Sequence, residues 1–180
     1  MEKAAYYTFA RLLRRTANAP MTIENHIRSL GLTLPGPTRP PAGARLPFSF
    51  VRVRGRRVFI SGHGPTLVDG SLAGPLGKVG ATVTLEEGYA AARLTALAIL
   101  GSLKRELGDL DRVAAWLRVF GMVNSAPGFT QQPAVINGFS DLILELYGPE
   151  RGRHARSAVG MAELPFGIPV EIEAEVEIQD

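Results

Sequence analysis

From Val170 to Ile178 the chain alternates strictly: Val170, Ile172, Ala174, Val176 and Ile178 are apolar, and Glu171, Glu173, Glu175 and Glu177 stand between them. A period of two puts the apolar residues on one side of an extended backbone and the carboxylates on the other. A helix would scatter both sets around its cylinder, so the segment is a β-strand. A strand needs partners for its backbone N–H and C=O groups, and its apolar side needs a covering layer. The chain must therefore build a sheet and pack something against one face of it.

The rest of the sequence supplies those parts. Phe48, Phe50, Val51 and Val53 lead to Gly55, and Val58, Phe59 and Ile60 return, with Arg52 and Arg54 alternating among the valines. That is a hairpin of half-buried strands. Its second strand ends in Ser61-Gly62-His63-Gly64-Pro65, and residues 62–80 are a glycine-rich loop, with a short strand expected near Ala81 to Val83. Thr84-Leu85-Glu86-Glu87 is a capping box opening a helix that runs to about Leu107 and stops at Gly108. Its core stripe is Leu97, Leu100, Leu103 (or Ile99) and Leu107. Arg112 to Val123 reads as a strand, 124–132 as a loop, and Pro133 to Tyr147 as a second long helix ending at Gly148-Pro149. His154 to Glu163 reads as the strand before the last. The order strand–strand–helix–strand–helix–strand–strand is an α+β fold, a mixed sheet with two main helices packed on one face. The other face is left to self-association.

Three segments are expected. Residues 1–20 form an N-terminal extension, either a short helix with Tyr6, Phe9 and Leu13 on one side or a non-native or alternative-start piece ahead of Met21. Residues 21–47 hold a short helix capped by Thr22 and a connector rich in proline, and 46–180 form the main domain. A chain of 180 residues buries roughly 70% of its unfolded surface without staples.

Composition narrows the function classes. The sequence has no cysteine, which excludes disulfides, thiol nucleophiles and thiolate metal sites, and fits a cytoplasmic location. His26, His63 and His154 show no ligand spacing, so no metal is expected. No apolar run reaches the ~20 residues of a membrane span. The formal charge is +3, with arginines grouped at 11, 14 and 15 and at 52, 54, 56 and 57. Without a nucleic-acid module or exposed aromatics these read as solvated side chains. Phosphate-loop, dinucleotide and nucleophile-elbow motifs are absent. Glu171 and Glu173 share one strand face and do not form the two walls of a glycosidase cleft.

One set of residues carries a resemblance. Ala155-Arg156-Ser157-Ala158-Val159-Gly160-Met161, then Leu164-Pro165, then Val170-Glu171-Ile172-Glu173-Ala174, is similar to the signature of the RidA (YjgF) family, including the spacing from the arginine to the first glutamate. Ile60-Ser61-Gly62, the Thr84 helix and Asn137 follow in matching order, so the resemblance spans roughly 46–178. Longer loops mark a separate branch. The resemblance implies a RidA/chorismate-mutase-like homotrimer with helices outside, clefts between subunits, no cofactor, and a small carboxylate-bearing metabolite as the partner. Nucleic-acid and membrane partners are not expected.

The resemblance also implies roles. Arg156 falls on the arginine that binds the substrate carboxylate, and a guanidinium offers that group two parallel donors. Glu171 falls on the glutamate associated with the hydrolytic water, and a carboxylate can take a proton from water as it attacks. Asn137 falls on a helix asparagine able to orient the arginine, and Ser61 and Gly62 lie at a cleft strand end. Phe48 stands where active members have tyrosine, and Ala158 where a cysteine is common. His63 is a possible cleft residue that would titrate near neutral pH. The reading is a hydrolytic deaminase turning reactive 2-imino or enamine acids into 2-keto acids and ammonia. The alternative is a non-catalytic trimeric binder of a small carboxylate, which Phe48 favours; a third reading is an endoribonuclease.

Overall fold

The computed structural model describes residues 21–40, 42–43 and 45–179; the reading of residues 1–20 lies outside them. The first helix, α1 (Ile23–Ser29), starts where the Thr22 hydroxyl accepts the N–H of Asn25. Ile23 and Ile27 enter the common core. Its outer side is tied by reciprocal caps, since Glu24 accepts the Leu110 N–H at 3.1 Å and Asp111 accepts the Ile23 N–H at 3.0 Å. The segment read as preceding the main domain is thus built into it. The proline-rich connector is pinned to the glycine-rich loop through Gly36 N–H to Val68 O and Arg39 N–H to Gly70 O.

Five strands form one sheet: β1 (Val51–Arg54), β2 (Arg57–His63), β3 (Val113–Asn124), β4 (Ala155–Met161) and β5 (Val170–Ile178). Their order is β1-β2-β5-β3-β4. The alternating strand β5 sits in the middle, antiparallel to both neighbours, and β4 runs parallel to β3 at the edge. Two long helices, α2 (Leu85–Leu107) and α3 (Gln132–Gly152), pack together over one face. The Thr84–Glu87 capping box is formed in both directions, and Gly108 closes α2 with φ 79°. Leu97, Ile99, Leu100, Leu103 and Leu107 are all buried.

Three local readings change. Ala81–Val83 is a turn, closed by an isolated bridge between Val79 and Val83, because Gly80 at φ 90° reverses the chain before a strand can extend. Leu110–Arg112 is a 3-10 turn capped by Asp109, so β3 begins at Val113. The second long helix continues past a left-handed break at Gly148 and ends at Gly152, with Pro149 starting its last turn.

The two sheet faces differ in character. Val119, Gly121 and Val123 point toward the helices; a Cβ on Gly121 would lie 2.7 Å from Ile136 of α3. Phe120 and Met122 point the other way. Register carries this division across the sheet. Arg156 pairs with Val119 and Ala158 with Gly121, on the helix side. Glu171 pairs with Met122 and Glu173 with Phe120, on the side the helices leave open. That open face also carries Phe59, Arg57 and Arg118, with Arg57 paired to Glu175 at 2.5 Å.

Candidate functional site

The residues singled out in the sequence fall into two groups. The first surrounds Arg156. Its Nη1 donates to Asn137 Oδ1 at 3.0 Å and to Ser140 Oγ at 2.9 Å, and its Nη2 reaches Pro133 O at 3.4 Å. Asn137 and Ser140 are three apart on α3, so one helical turn presents both to the edge strand. Nε–H makes no hydrogen bond among the described residues, which leaves the Nε/Nη2 side of the fork for a planar acceptor. Burial lowers the guanidinium pKa and nearby Asp141 opposes this; the group stays cationic at any working pH. Ala158 lies one pleat further along the same side of β4 and packs against the core.

Behind Arg156 runs a chain of directed hydrogen bonds. His154 Nδ1 lies 2.8 Å from Gly152 O, and a carbonyl only accepts, so Nδ1 carries the proton. His154 Nε2 is then an acceptor for the Ser140 hydroxyl at 3.0 Å, and Ser140 Oγ accepts from Arg156. Burial pushes the His154 pKa down, the Gly152 carbonyl opposes, and Arg156 lowers it further. A neutral ring fits that assignment.

The second group surrounds Glu171. Its carboxylate lies over Gly62: a Cβ at that position would come within 2.0 Å of Oε1. A larger residue there would have to push the Glu171 carboxylate aside. Glu171 opens into a cavity of about 300 Å³ whose walls include Phe48, Phe50, Leu72, Phe166 and Ile168. Phe48 meets Phe50 edge-on at 5.3 Å. No hydrogen bond to the Glu171 carboxylate is formed among the described residues, and burial raises its pKa, with Glu173 adding repulsion.

Two predicted residues are placed differently. His63 does line the Glu171 cavity, but from the end of β2 on the helix side and 2% exposed. Nδ1 lies 2.7 Å from Ser61 O and Nε2 lies 2.9 Å from Ser102 Oγ. Burial takes its pKa down to about 4, against the Ser61 carbonyl and with help from Arg105, so it does not titrate near neutral pH. Ser61 spends its hydroxyl on Ser49 O at 2.8 Å and borders a different hollow on the open face. Sequence reasoning missed Ser140 and His154, although Ser140 stands at helical spacing from Asn137. It also missed Phe50 and Phe166 as cavity walls.

Glu24, Asp109 and Asp111 are the one group of potential metal ligands among the described residues. They serve as caps to backbone N–H groups and lie in neither cluster. No helix among the described residues is long and apolar enough to cross a membrane.

Arg156 and Glu171 sit on opposite faces of one sheet, so a single chain does not bring them together. With that geometry in hand, three comparisons converge. Residues 24–168 match the family described as "YjgF/chorismate_mutase-like, putative endoribonuclease", reaching further toward the N-terminus than the resemblance at 46–178. The chain is similar to Protein TCP17 of Trypanosoma cruzi, 44% identical over 156 residues, which are 86% of this chain and 93% of the relative. It is similar to the crystal structure of Atu1372 of Agrobacterium tumefaciens, described as of unknown function, with TM-score 0.76 and 39% identity over 87% of this chain and 92% of that one. It is also similar to a "putative endoribonuclease" from Shewanella oneidensis, with TM-score 0.78 and 30% identity over 87% and 99%.

Proposed function

Since the chain belongs to the YjgF/chorismate-mutase-like family, we propose that it is a hydrolytic deaminase of 2-imino and enamine acids working as a homotrimer. The observation that carries this reading is the state of Glu171, a carboxylate with no hydrogen-bond partner among the described residues, held in an apolar cavity that raises its pKa. A base with an elevated pKa is better matched to taking a proton from water near neutral pH.

The opposite-face placement supports a site assembled between copies. Arg156 of one copy holds the substrate carboxylate on its free Nε/Nη2 side, while Glu171 and Gly62 of the next copy supply the water-handling wall. Water attacks the imine carbon as Glu171 accepts its proton. The imine nitrogen takes that proton back to give the carbinolamine; the carbinolamine hydroxyl proton then passes through Glu171 to nitrogen as the C–N bond breaks, releasing ammonia and leaving the 2-keto acid. One water is consumed, one C–N linkage is broken, and Glu171 returns to its starting state. An enamine first tautomerises to the imine. RNA cleavage fits less well, because a phosphodiester backbone calls for cationic contacts and the walls of the cavity beside Glu171 are mostly apolar.

The test generates an imine in situ and follows keto-acid appearance. We expect acceleration by the wild type, loss of carboxylate binding in Arg156→Ala, and loss of turnover with binding retained in Glu171→Gln. Carboxylate binding without acceleration would instead support the non-catalytic binder, which Phe48 favours because its ring brings no hydroxyl to the cavity. Acceleration that survives Arg156→Ala would remove the anchor assignment.

A further inference from the structure

We propose that the cavity beside Glu171 is a side-chain pocket that selects imino acids bearing branched aliphatic or aromatic groups over the smallest ones. This inference rests on the deaminase reading above and names its substrate class.

Size is the first argument. About 300 Å³ is room for about ten waters at ~30 Å³ each, far more than a three-carbon imino acid fills. Wall chemistry is the second. Leu46, Phe48, Phe50, Leu72, Phe166 and Ile168 surround the space. The polar members are few: His63 spends both ring nitrogens on Ser61 and Ser102, Arg39 stands 3.7 Å from Asp69, Thr38 brings one hydroxyl, and Glu171 is the proposed base. A polar substrate side chain would find few partners there and would pay desolvation without return. An apolar one gains from every wall.

The rim is the third argument. Phe166 is the one non-glycine among the described residues with positive φ, at 57°, and its ring is half exposed at the cavity. A bulky residue in the left-handed region is strained. It is fixed by the 3-10 turn in which Gly167 N–H donates to Leu164 O and Ile168 N–H to Pro165 O. Phe48 is likewise 51% exposed at the same cavity. Two large exposed aromatic rings at one opening, next to an unpartnered carboxylate, are the features of a ligand site whose walls are apolar and whose chemistry is confined to one end.

The experiment compares imines made in situ by an amino-acid oxidase from leucine, phenylalanine and alanine. In parallel, calorimetry measures binding of 4-methyl-2-oxopentanoate and pyruvate to the full-length protein. We expect kcat/KM about tenfold or more higher for the two large imines, and a matching preference for the larger keto acid. Leu72→Trp should fill the pocket and lower the preference for the large imines over the alanine-derived one about tenfold; Leu46→Trp is the second variant if the first does not fold. Turnover with equal preference for large and small imines overturns the pocket and leaves the deaminase reading standing. Selective binding with no turnover of any imine sinks the deaminase reading and keeps the pocket. Equal binding of both keto acids overturns the pocket whatever the turnover.

Discussion

Ser140 joins two side chains that never touch. Its hydroxyl gives to His154 and receives from Arg156, so removing it frees one Arg156 hydrogen and one imidazole lone pair. A hydrogen bond of this kind contributes about 0.5–1.5 kcal/mol. Ser140→Ala should therefore weaken keto-acid binding by about threefold to tenfold in calorimetry with the circular dichroism spectrum unchanged. At Glu171 the pKa is raised above 4.5, chiefly by burial. A general base works deprotonated, so kcat/KM of the wild type should climb as pH rises through that displaced pKa. Gly62→Ala places a methyl where the carboxylate lies and should cost turnover more than binding. The buried histidine has the opposite kind of consequence, for stability. His63 has a folded pKa near 4 against 6.5, so the unfolded chain binds more protons between those values. Its contribution is complete above pH 6.5 and is lost as pH falls toward 4, up to roughly 3 kcal/mol at 1.36 kcal/mol per pH unit. Urea unfolding at pH 7 and pH 5 should show that slope, and His63→Gln should flatten it. The contact between Arg156 and Asn137 was legible from the motif. The burial of His63 was not, because nothing local says that Ser61 and Gly62 before it lie at a β-bulge that turns its ring into the core.

At the scale of elements, periodic patterns carried the reading. Strand β5 and helix α2 are each set by their own apolar spacing, and the Thr84–Glu87 box fixes where α2 begins. Thr84→Ala removes the hydroxyl that accepts the Glu87 N–H at 3.1 Å. The expected cost is about 0.5–2 kcal/mol, or about 2–4 °C in Tm for each kcal/mol in a chain of this size. Differential scanning calorimetry checks it. The elements misread are those with no period to follow. Ala81–Val83 is three residues that look extended, and Gly80 decides otherwise through its own dihedral angles. The continuation of α3 through Gly148 depends on Arg151, whose guanidinium bonds to Val113 O and Asp111 O across the end of the helix. Those partners are 38 and 40 positions away in the chain, beyond the reach of any local pattern.

For the whole molecule, the governing fact is that Arg156 and Glu171 face opposite ways. This could not be read from sequence, because it follows from the register of β3 with both β4 and β5, pairings set by packing between distant segments. It makes a sharp prediction. Arg156→Ala and Glu171→Gln should each be inactive alone, yet their mixture, unfolded and refolded together, should regain activity at about a quarter of the sites, the chance that random assembly puts the two intact residues across one interface. No recovery in mixed oligomers, with light scattering showing that they had formed, would place both residues in one chain's site.

The same division of labour across the sheet has a consequence for how much protein must be present. On the proposed reading, a chain carrying half of each site should be inert when isolated, however well folded. Specific activity should then fall on dilution, with the far-UV spectrum of the folded chain persisting after its turnover has gone. On that reading abundance itself would control the reaction.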